Sequence, residues 1–360
     1  MPAPGRGMRD ALNVELGRER EYDPHELVQS VRTNVPGLFF LDVPGGTGKT
    51  FLMSLILATV RARSEIAVAV ASSGIAATLL DGCSMTHSAL KLPLNLQTTE
   101  KPTCNISKQS AIAKVLVTSK FIIWDKCAMA HKRALEALDR IQDLRNDSRC
   151  FGGSMILLSG DFRQTLPLNP RSTAADEIIA CLKASNLWRY AKKLQLSVNM
   201  RVALLNDLSV DDFSKQLLTI GNGRVPVDES SGLISFPSNF CNFVSSKDEL
   251  INKVFPDIIA NHKNTKWLSK LAILAAKNKD VADLNIIIQN QIVGTLYSFK
   301  SIDCVTNEDE ATNYPTEFLN SLDVPGLPPH NLQLRVGWIV IMIRNLNQPK
   351  LCNELFVASI

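Results

Sequence analysis

The sequence predicts a doubly wound α/β protein, a parallel sheet covered by helices on both faces, and three observations predict it. Short apolar runs recur, LFFLDV (38–43), IAVAVAS (66–72), KFIIWD (120–125), SMILLSGD (154–161) and KKLQLSV (192–198), and most are continuous rather than alternating, as in strands buried on both faces. Helix-period segments separate them, which is the alternation of a parallel sheet. The earliest run also feeds a glycine-rich turn that opens a helix, the arrangement in which backbone N–H groups and a helix N-terminus meet a phosphate.

The elements follow in order. Residues 1–22 are polar, charged and punctuated by Gly and Pro, and are expected to form a solvated arm. A helix is expected from Asp23 to the Pro36-Gly37 stop, with Asp23 as N-cap, Pro24 in the first turn and Glu26 three residues after the cap. Strand 38–43, helix 49–62, strand 66–72, a short helix in IAATLLD and a long polar loop over 83–107 come next. Strand 120–125, helix 134–145, strand 154–161, helix 174–184 and strand 192–198 complete the alternation. Beyond Arg201 the texture changes to a helix at 208–221, a polar segment at 223–247 and a helix near 248–260. KLAILAAKNK (270–279) is expected as a strand entering a second α/β unit, and WIVIMIRN (338–345) as a later strand of it. The expected organisation is an arm and helix (1–36), a nucleotide-binding domain (37–205) and a partial second domain (206–360).

Composition narrows the function classes. With 45% hydrophobic and 21% charged residues among 360, the chain is globular, and 360 residues allow two domains. A net charge of +4 is compatible with a nucleic-acid partner and equally with any mildly basic soluble protein. No apolar run approaches the roughly 18–20 residues of a membrane span, and MPAPGRGMRDALNVELGRER lacks the apolar stretch of a secretory leader. An intracellular protein without a membrane partner is expected. The eight cysteines and five histidines are scattered, with no CxxC or CxxH spacing that suggests zinc, and the cysteines are expected to be reduced core thiols.

Three stretches carry chemistry. In DVPGGTGKTFL, Gly45, Gly46 and Gly48, with Thr47 between them, let the backbone curl around phosphate oxygens. Lys49 supplies a point charge for the β- and γ-phosphates and Thr50 a hydroxyl for Mg²⁺. The full pattern asks for glycine at position 43, where this chain has Val43. A glycine-rich turn of no consequence is the plain alternative, and the strand before and helix after it argue for phosphate. KFIIWDK then delivers Asp125 to the end of a buried strand, where a carboxylate holds Mg²⁺, with Lys126 where an acid that polarises water is expected. LLSGDFRQTLP (157–167) brings Asp161, Arg163 and Gln164 to a third strand end, and a glutamine amide there is able to bond both a γ-phosphate and a water.

PGGTGKTFL, ASSGIAATLL, WDKCAMAHK, FGGSMILLSGDFRQTLP, LQLSVNMR and VGWIVIMIRNLNQPKLCN, in this order, resemble the helicase portion of the petite integration frequency (Pif) family of superfamily-one DNA helicases. The likeness is closest to the Helitron-type branch carried by rolling-circle transposons and runs over about residues 10–353. It implies two RecA-like domains of the P-loop NTPase class, the second incomplete here, that hydrolyse ATP with Mg²⁺ at their interface and move 5′ to 3′ on single-stranded DNA. It implies a nuclear location and work in DNA repair, recombination and telomere maintenance, and it leaves the oligomeric state open. Residue by residue, it makes Gly46, Gly48, Lys49 and Thr50 the phosphate and Mg²⁺ binders, Asp125 a metal ligand, Gln164 the γ-phosphate sensor and Arg201 an arginine finger. It also sets Ser72, Ser73, Thr86 and His87 along the DNA track. Plain alternatives stay open: Arg201 as a surface charge, SSGIAATLL as a helix N-terminus packed on the sheet.

Four departures from that family pattern bear on activity. Lys126 replaces the glutamate of an Asp-Glu pair, and a segment with an adenine-reading glutamine is absent before the P-loop strand, Gln29 lying upstream in another context. Glu354 stands at a glycine position in LCNE, and two motifs that complete the second domain are not found. The expectation is a degenerate, transposon-borne copy that binds Mg-ATP weakly through the P-loop, hydrolyses it slowly and does not unwind. The alternatives are a nucleotide-gated single-stranded DNA-binding remnant and an inert relic.

Overall fold

The computed structural model describes residues 21–22, 31, 33, 35–93, 96–97, 99–164, 166–167, 172–196, 198–205, 208–236, 240–275, 277–292, 294–304, 315–322, 328–336, 338–342 and 356–358. Seven strands lie in one parallel sheet: β1 (Glu21–Tyr22), β2 (Gly37–Asp42), β3 (Ala67–Ala71), β4 (Cys83–Met85), β5 (Phe121–Asp125), β6 (Met155–Gly160) and β7 (Ala191–Gln195). Their order is β1-β7-β2-β6-β5-β3-β4. The five expected strands all form, each shifted or shortened by a few residues.

Continuous apolar runs become central strands because both faces need cover. Every residue of β5 and β6 is buried. Phe40, Ile122, Trp124, Ile156 and Leu158 point to one face and pack with Leu135 and Leu138 of the helix Lys132–Asp139. Phe39, Leu41, Ile123 and Leu157 point to the other and pack with Met53, Ile56 and Leu57 of the helix Lys49–Arg61. Each such side chain contributes roughly 1.5–3 kcal/mol by leaving water. The sheet is doubly wound, and the carboxyl ends of β2, β5 and β6, where such sheets bind ligands, carry Asp42, Asp125 and, one residue on, Asp161.

Several elements differ from expectation. The loop 83–107 contains β4 and a short helix, Thr86–Ala89, and the helix Ala111–Thr118, capped by Ser110, follows it. Helix 134–145 divides into Lys132–Asp139 and Gln142–Arg145, and helix 174–184 into Ala174–Ala180 and a 3-10 turn at Leu182–Ala184. The arm ends in β1, whose Glu21 and Tyr22 pair with Lys193 and Leu194. Residues 31 and 33 are helical, while the rest of the expected helix 23–36 up to Asn34, Gln29 included, lies outside the described residues.

The chain divides into two compact units, Met1–Phe240 and Cys241–Ile360. That division falls later than 205/206, so the helix Leu208–Gly221 belongs to the first unit. In the second unit the helix expected near 248–260 splits into Lys247–Val254 and Ile258–Asn261, because Pro256 has no N–H to donate and Asp257 turns left-handed at φ 51°. The strand expected at 270–279 does not form. Its described residues lack a ladder partner, Leu274 is 94% exposed, and the helix Asn278–Gln291 begins within the stretch. Strands β8 (Leu296–Lys300) and β9 (Asn331–Arg335) pair antiparallel, as do β10 (Ile339–Ile341) and β11 (Phe356–Ala358). Hence the expected strand 338–345 is β10 over its described residues, and the strand pairs described in this unit are antiparallel. Ile258, Ile292 and Trp338 form its buried cluster.

Only some cysteines are core thiols. Cys127 and Cys181 are buried, whereas Cys150, Cys241 and Cys304 are exposed, and all the described cysteines are free. Among the described residues, no helix is long and apolar enough to cross a membrane.

Candidate nucleotide-binding site

β2 delivers the chain into Pro44-Gly45-Gly46-Thr47-Gly48. Gly46 and Gly48 take φ of 89° and 84°, the left-handed region where a side chain is strained. Gly48 is the N-cap of the helix Lys49–Arg61 and offers no side chain to its free N–H groups, so the loop presents backbone donors and a helix dipole to an anion. The Thr47 hydroxyl donates to the Pro44 carbonyl at 2.9 Å and is used in closing the turn. Thr50, in the first helical turn, is half-exposed.

The NMR segment braces this loop. The backbone N–H of Arg201 donates to the Gly46 carbonyl at 3.0 Å, and Asn199 Nδ2 lies 3.5 Å from the Gly45 carbonyl. Arg201 thus meets the P-loop through its main chain, and the residue is exposed. Asn199 is itself fixed by donating to Ser214 Oγ at 3.0 Å.

At the end of β5, Lys49 Nζ donates to Asp125 Oδ1 at 2.7 Å, the side chains being 19% and 3% exposed. The Lys126 N–H donates to the same oxygen at 2.8 Å. Lys126 is left-handed, with φ 53° and ψ 34°, and its Nζ donates to Gln164 Oε1 at 2.8 Å. Gln164 Nε2 donates to Asp161 Oδ2 at 3.1 Å. Asp161 Oδ1 accepts from Arg163 Nε at 2.6 Å, and the Arg163 guanidinium reaches Asp42 Oδ1 at 2.7 Å. Lys193 Nζ lies 3.5 Å from Asp42 Oδ2. Lys49, Asp125, Lys126, Gln164, Asp161, Arg163, Asp42 and Lys193 therefore form one unbroken polar chain across the ends of β2, β5 and β6 and on to the middle of β7. Its four cations exceed its three carboxylates, which suits an anionic ligand.

These residues fit Mg²⁺ bound with a nucleotide. Both hydrogen bonds to Asp125 fall on Oδ1, which leaves the lone pairs of Oδ2 for a cation, and the Thr50 hydroxyl is a second oxygen donor at the P-loop. Among the described residues no three His, Cys, Asp or Glu side chains gather as a metal cage. Mg²⁺ in nucleotide sites is held by one or two protein oxygens together with phosphates and water, so this donor set is of the right kind.

The sequence motifs anticipated Lys49, Asp125 and Gln164 at one site. They did not anticipate Asp42, Lys193 or Asn199. Asp42 does sit at a strand end before the glycines, a signal available in LFFLDV, whereas Lys193 becomes relevant only through pairing of β7 with β2. Two of the expected DNA-track residues serve the fold: Ser73 caps the helix Gly74–Thr78 by accepting from Ala76 N at 3.2 Å, and Ser72 Oγ accepts from Trp124 Nε1 at 2.8 Å. Thr86 is buried with its hydroxyl lacking a hydrogen-bond partner, and His87 is exposed.

A family model described as PIF1-like helicase matches residues 15–231, and one described as the 2B domain of DNA helicase Pif1 matches residues 317–354. The ATP-dependent DNA helicase PIF1 of Candida albicans is 24% identical over 349 residues, covering 94% of this chain and 34% of its own length. The enzyme of the same name from Danio rerio is 22% identical over 312 residues, covering 86% of this chain and 41% of its own. The Psychrobacter ATP-dependent DNA helicase Pif1 is 29% identical over 133 residues, 37% of this chain and 20% of its own. The chain thus spans from a fifth to about two fifths of the length of these relatives. Among solved structures, Pif1 helicase from Candida albicans superimposes with a TM-score of 0.58 at 20% identity, covering 92% of this chain and 66% of that one. Bacteroides Pif1 bound to ssDNA gives 0.60 at 18% identity, covering 92% and 68%. These likenesses show a shared fold.

Proposed function

The chain belongs to the PIF1-like helicase family, and on that premise we propose that it binds ATP with Mg²⁺ at the P-loop and Asp125 and carries the chemistry of a 5′-to-3′ DNA helicase, slowed at hydrolysis. The observation that carries this reading is the 2.7 Å contact from Lys49 to Asp125, which brings the phosphate-binding lysine and the metal-binding carboxylate together. Gly46, Gly48 and the first N–H groups of the helix Lys49–Arg61 cradle the phosphates, and Lys49 turns from Asp125 to the β- and γ-oxygens. Asp125 Oδ2 and the Thr50 hydroxyl would hold Mg²⁺, whose chemistry there would be neutralisation of phosphate charge. Arg201, tied to Gly46 by its backbone, contributes the guanidinium that stabilises the transferring phosphoryl. Single-stranded DNA is the polymer partner, as for the Bacteroides relative.

Hydrolysis needs a group that accepts a proton from the attacking water, and Lys126 stands where the family resemblance sets a glutamate. An ammonium donates there, and loss of a general base costs about 10² to 10⁴ in rate. On this ground we read the chain as a degenerate member, and the likeness of its ordered motifs is the reason for assigning it to the Helitron-type branch. The same residue favours a second reading, a nucleotide-gated single-stranded DNA binder without motor activity.

Titration with a fluorescent ATP analogue in Mg²⁺, beside Lys49→Ala, tests the site: Mg²⁺-dependent binding that the variant abolishes is expected, and absence of binding by the unmodified chain overturns it. Steady-state ATPase with single-stranded DNA tests the rate. Turnover below about 0.1 per second is expected, and turnover in the ordinary range of roughly 1–10³ per second sinks the slowed-hydrolysis reading. Fluorescence anisotropy tests the second reading, since a gated binder holds DNA in a salt-dependent way that ATP alters and absence of DNA binding removes it, while strand displacement from a forked duplex separates a slow motor from a binder without motor activity.

A further inference from the structure

We infer that Lys126 is a ligand for the terminal phosphate and makes this a site that recognises and retains a nucleoside triphosphate over a diphosphate. The inference rests on the nucleotide-binding reading above. Lys49 is paired with Asp125, Arg163 with both Asp161 and Asp42, and Lys193 with Asp42. The side chain of Lys126 is instead hydrogen-bonded to a neutral amide oxygen, Gln164 Oε1, at 2.8 Å. The uncompensated positive charge of the network therefore sits on Lys126, half-buried at the end of β5.

Its backbone points the same way. A lysine in the left-handed region, at φ 53°, is strained and persists only where its surroundings hold it. Here the Lys126 N–H donates to Asp125 Oδ1 at 2.8 Å, and its carbonyl accepts from Met129 N at 3.1 Å. The strained turn fixes the start of the side chain one residue beyond the metal-binding carboxylate. The ammonium and the Gln164 amide are held as a pair, because Gln164 Nε2 is anchored on Asp161 Oδ2 at 3.1 Å. Gln164 thus offers its remaining amide hydrogen, and Lys126 its remaining two, to one acceptor. A γ-phosphate has three such oxygens and the charge that Lys126 lacks. The β-phosphate of a diphosphate is already served by the loop and Lys49, so the Lys126 contribution falls on the triphosphate alone. With the Gln164 carbonyl taken by the ammonium, the same contact draws that oxygen away from orienting a water.

Isothermal titration with Mg²⁺ and either β,γ-methylene-ATP or ADP tests this without relying on turnover. The full chain is expected to bind the triphosphate at least about tenfold more tightly than the diphosphate, a difference of one 1.4 kcal/mol step. Lys126→Gly, which suits the left-handed backbone and preserves the turn, is expected to erase most of that ratio, and Lys126→Gln to do the same while keeping bulk. Lys49→Ala is expected to weaken both nucleotides. An unchanged ratio in Lys126→Gly and Lys126→Gln overturns the role of Lys126 and leaves the P-loop reading intact. Failure of the unmodified chain to bind either nucleotide overturns both.

Discussion

A single carbon atom added at Gly46 is expected to break the phosphate loop proposed above. Its φ of 89° strains any side chain, and a Cβ there would lie 2.5 Å from Asn199 Oδ1. Asn199 has little room to yield, since its Nδ2 donates to Ser214 Oγ at 3.0 Å and its Oδ1 accepts from Val202 N at 3.3 Å. Gly46→Ala is therefore expected to cost about 1–3 kcal/mol in urea unfolding and to abolish Mg-ATP binding. Gly45→Ala, whose Cβ would meet nothing within 4 Å, is the matched control and is expected to cost under about 1 kcal/mol. Equal behaviour of the two variants would show that the brace from Asn199 does not shape the loop. Residue identity told part of this story in advance. Val43, where the phosphate-loop pattern asks for glycine, is buried in the sheet core and takes no left-handed φ, so the departure does not disturb the turn. Lys126 was legible as a residue of the wrong charge, but its contact with Gln164 was not, because two loops 38 residues apart must meet before that bond exists.

Elements were legible where burial on two faces writes itself into consecutive residues. FIIWD and MILLSG need cover above and below, and both appear as central strands. KLAILAAKNK has the same apolar texture and forms no strand in its described residues. A short apolar run fits a strand or a helix, and only a neighbouring ladder decides. Distance across the sheet is likewise unwritten, which is why Asp42 and Lys193 join the site only once β2 and β7 pair in register. One element also carries a pH dependence. The helix Lys132–Asp139 begins at His131, whose Nδ1 accepts from Arg133 N at 3.1 Å, a bond that requires Nδ1 unprotonated. Burial, then the Arg133 and Lys132 charges, hold the imidazole pKa below its usual 6.5. A histidine depressed on folding contributes stability above its unfolded pKa and loses that contribution as pH falls through the folded value. A protonated ring also sets a positive charge on the helix N-terminus, where the dipole disfavours it. His131→Asn, which caps at any pH, is expected to match the parent chain in urea at pH 7.5 and to exceed it by about 1 kcal/mol at pH 5. A gap that stays constant between those pH values would remove His131 as the source.

At the scale of the molecule, the two compact units differ in what holds them together. The first has a seven-stranded sheet with an apolar cluster on each face, and the second has a small cluster around Ile258, Ile292 and Trp338 with two two-stranded antiparallel ribbons among its described residues. Every side chain of the polar network, from Asp42 to Lys193, and the bracing segment at Asn199 and Arg201 lie in the first unit. A unit that owns both its core and its site has what independent folding requires. A chain ending at Phe240 is therefore expected to unfold cooperatively in urea and to bind Mg-ATP within about threefold of the full chain, with the same loss on Lys49→Ala. The division at 240/241 matters to this outcome, because a cut at 205/206 removes the helix Leu208–Gly221, and with it the Ser214 hydroxyl that fixes Asn199 against Gly45 and Gly46. The shorter chain, residues 1–205, is expected to bind nucleotide at least about tenfold more weakly than residues 1–240, since an unsupported loop must be ordered at the moment of binding. Equal affinities for the two fragments would place the support of the phosphate loop within residues 1–205 and dismiss the helix as part of the site.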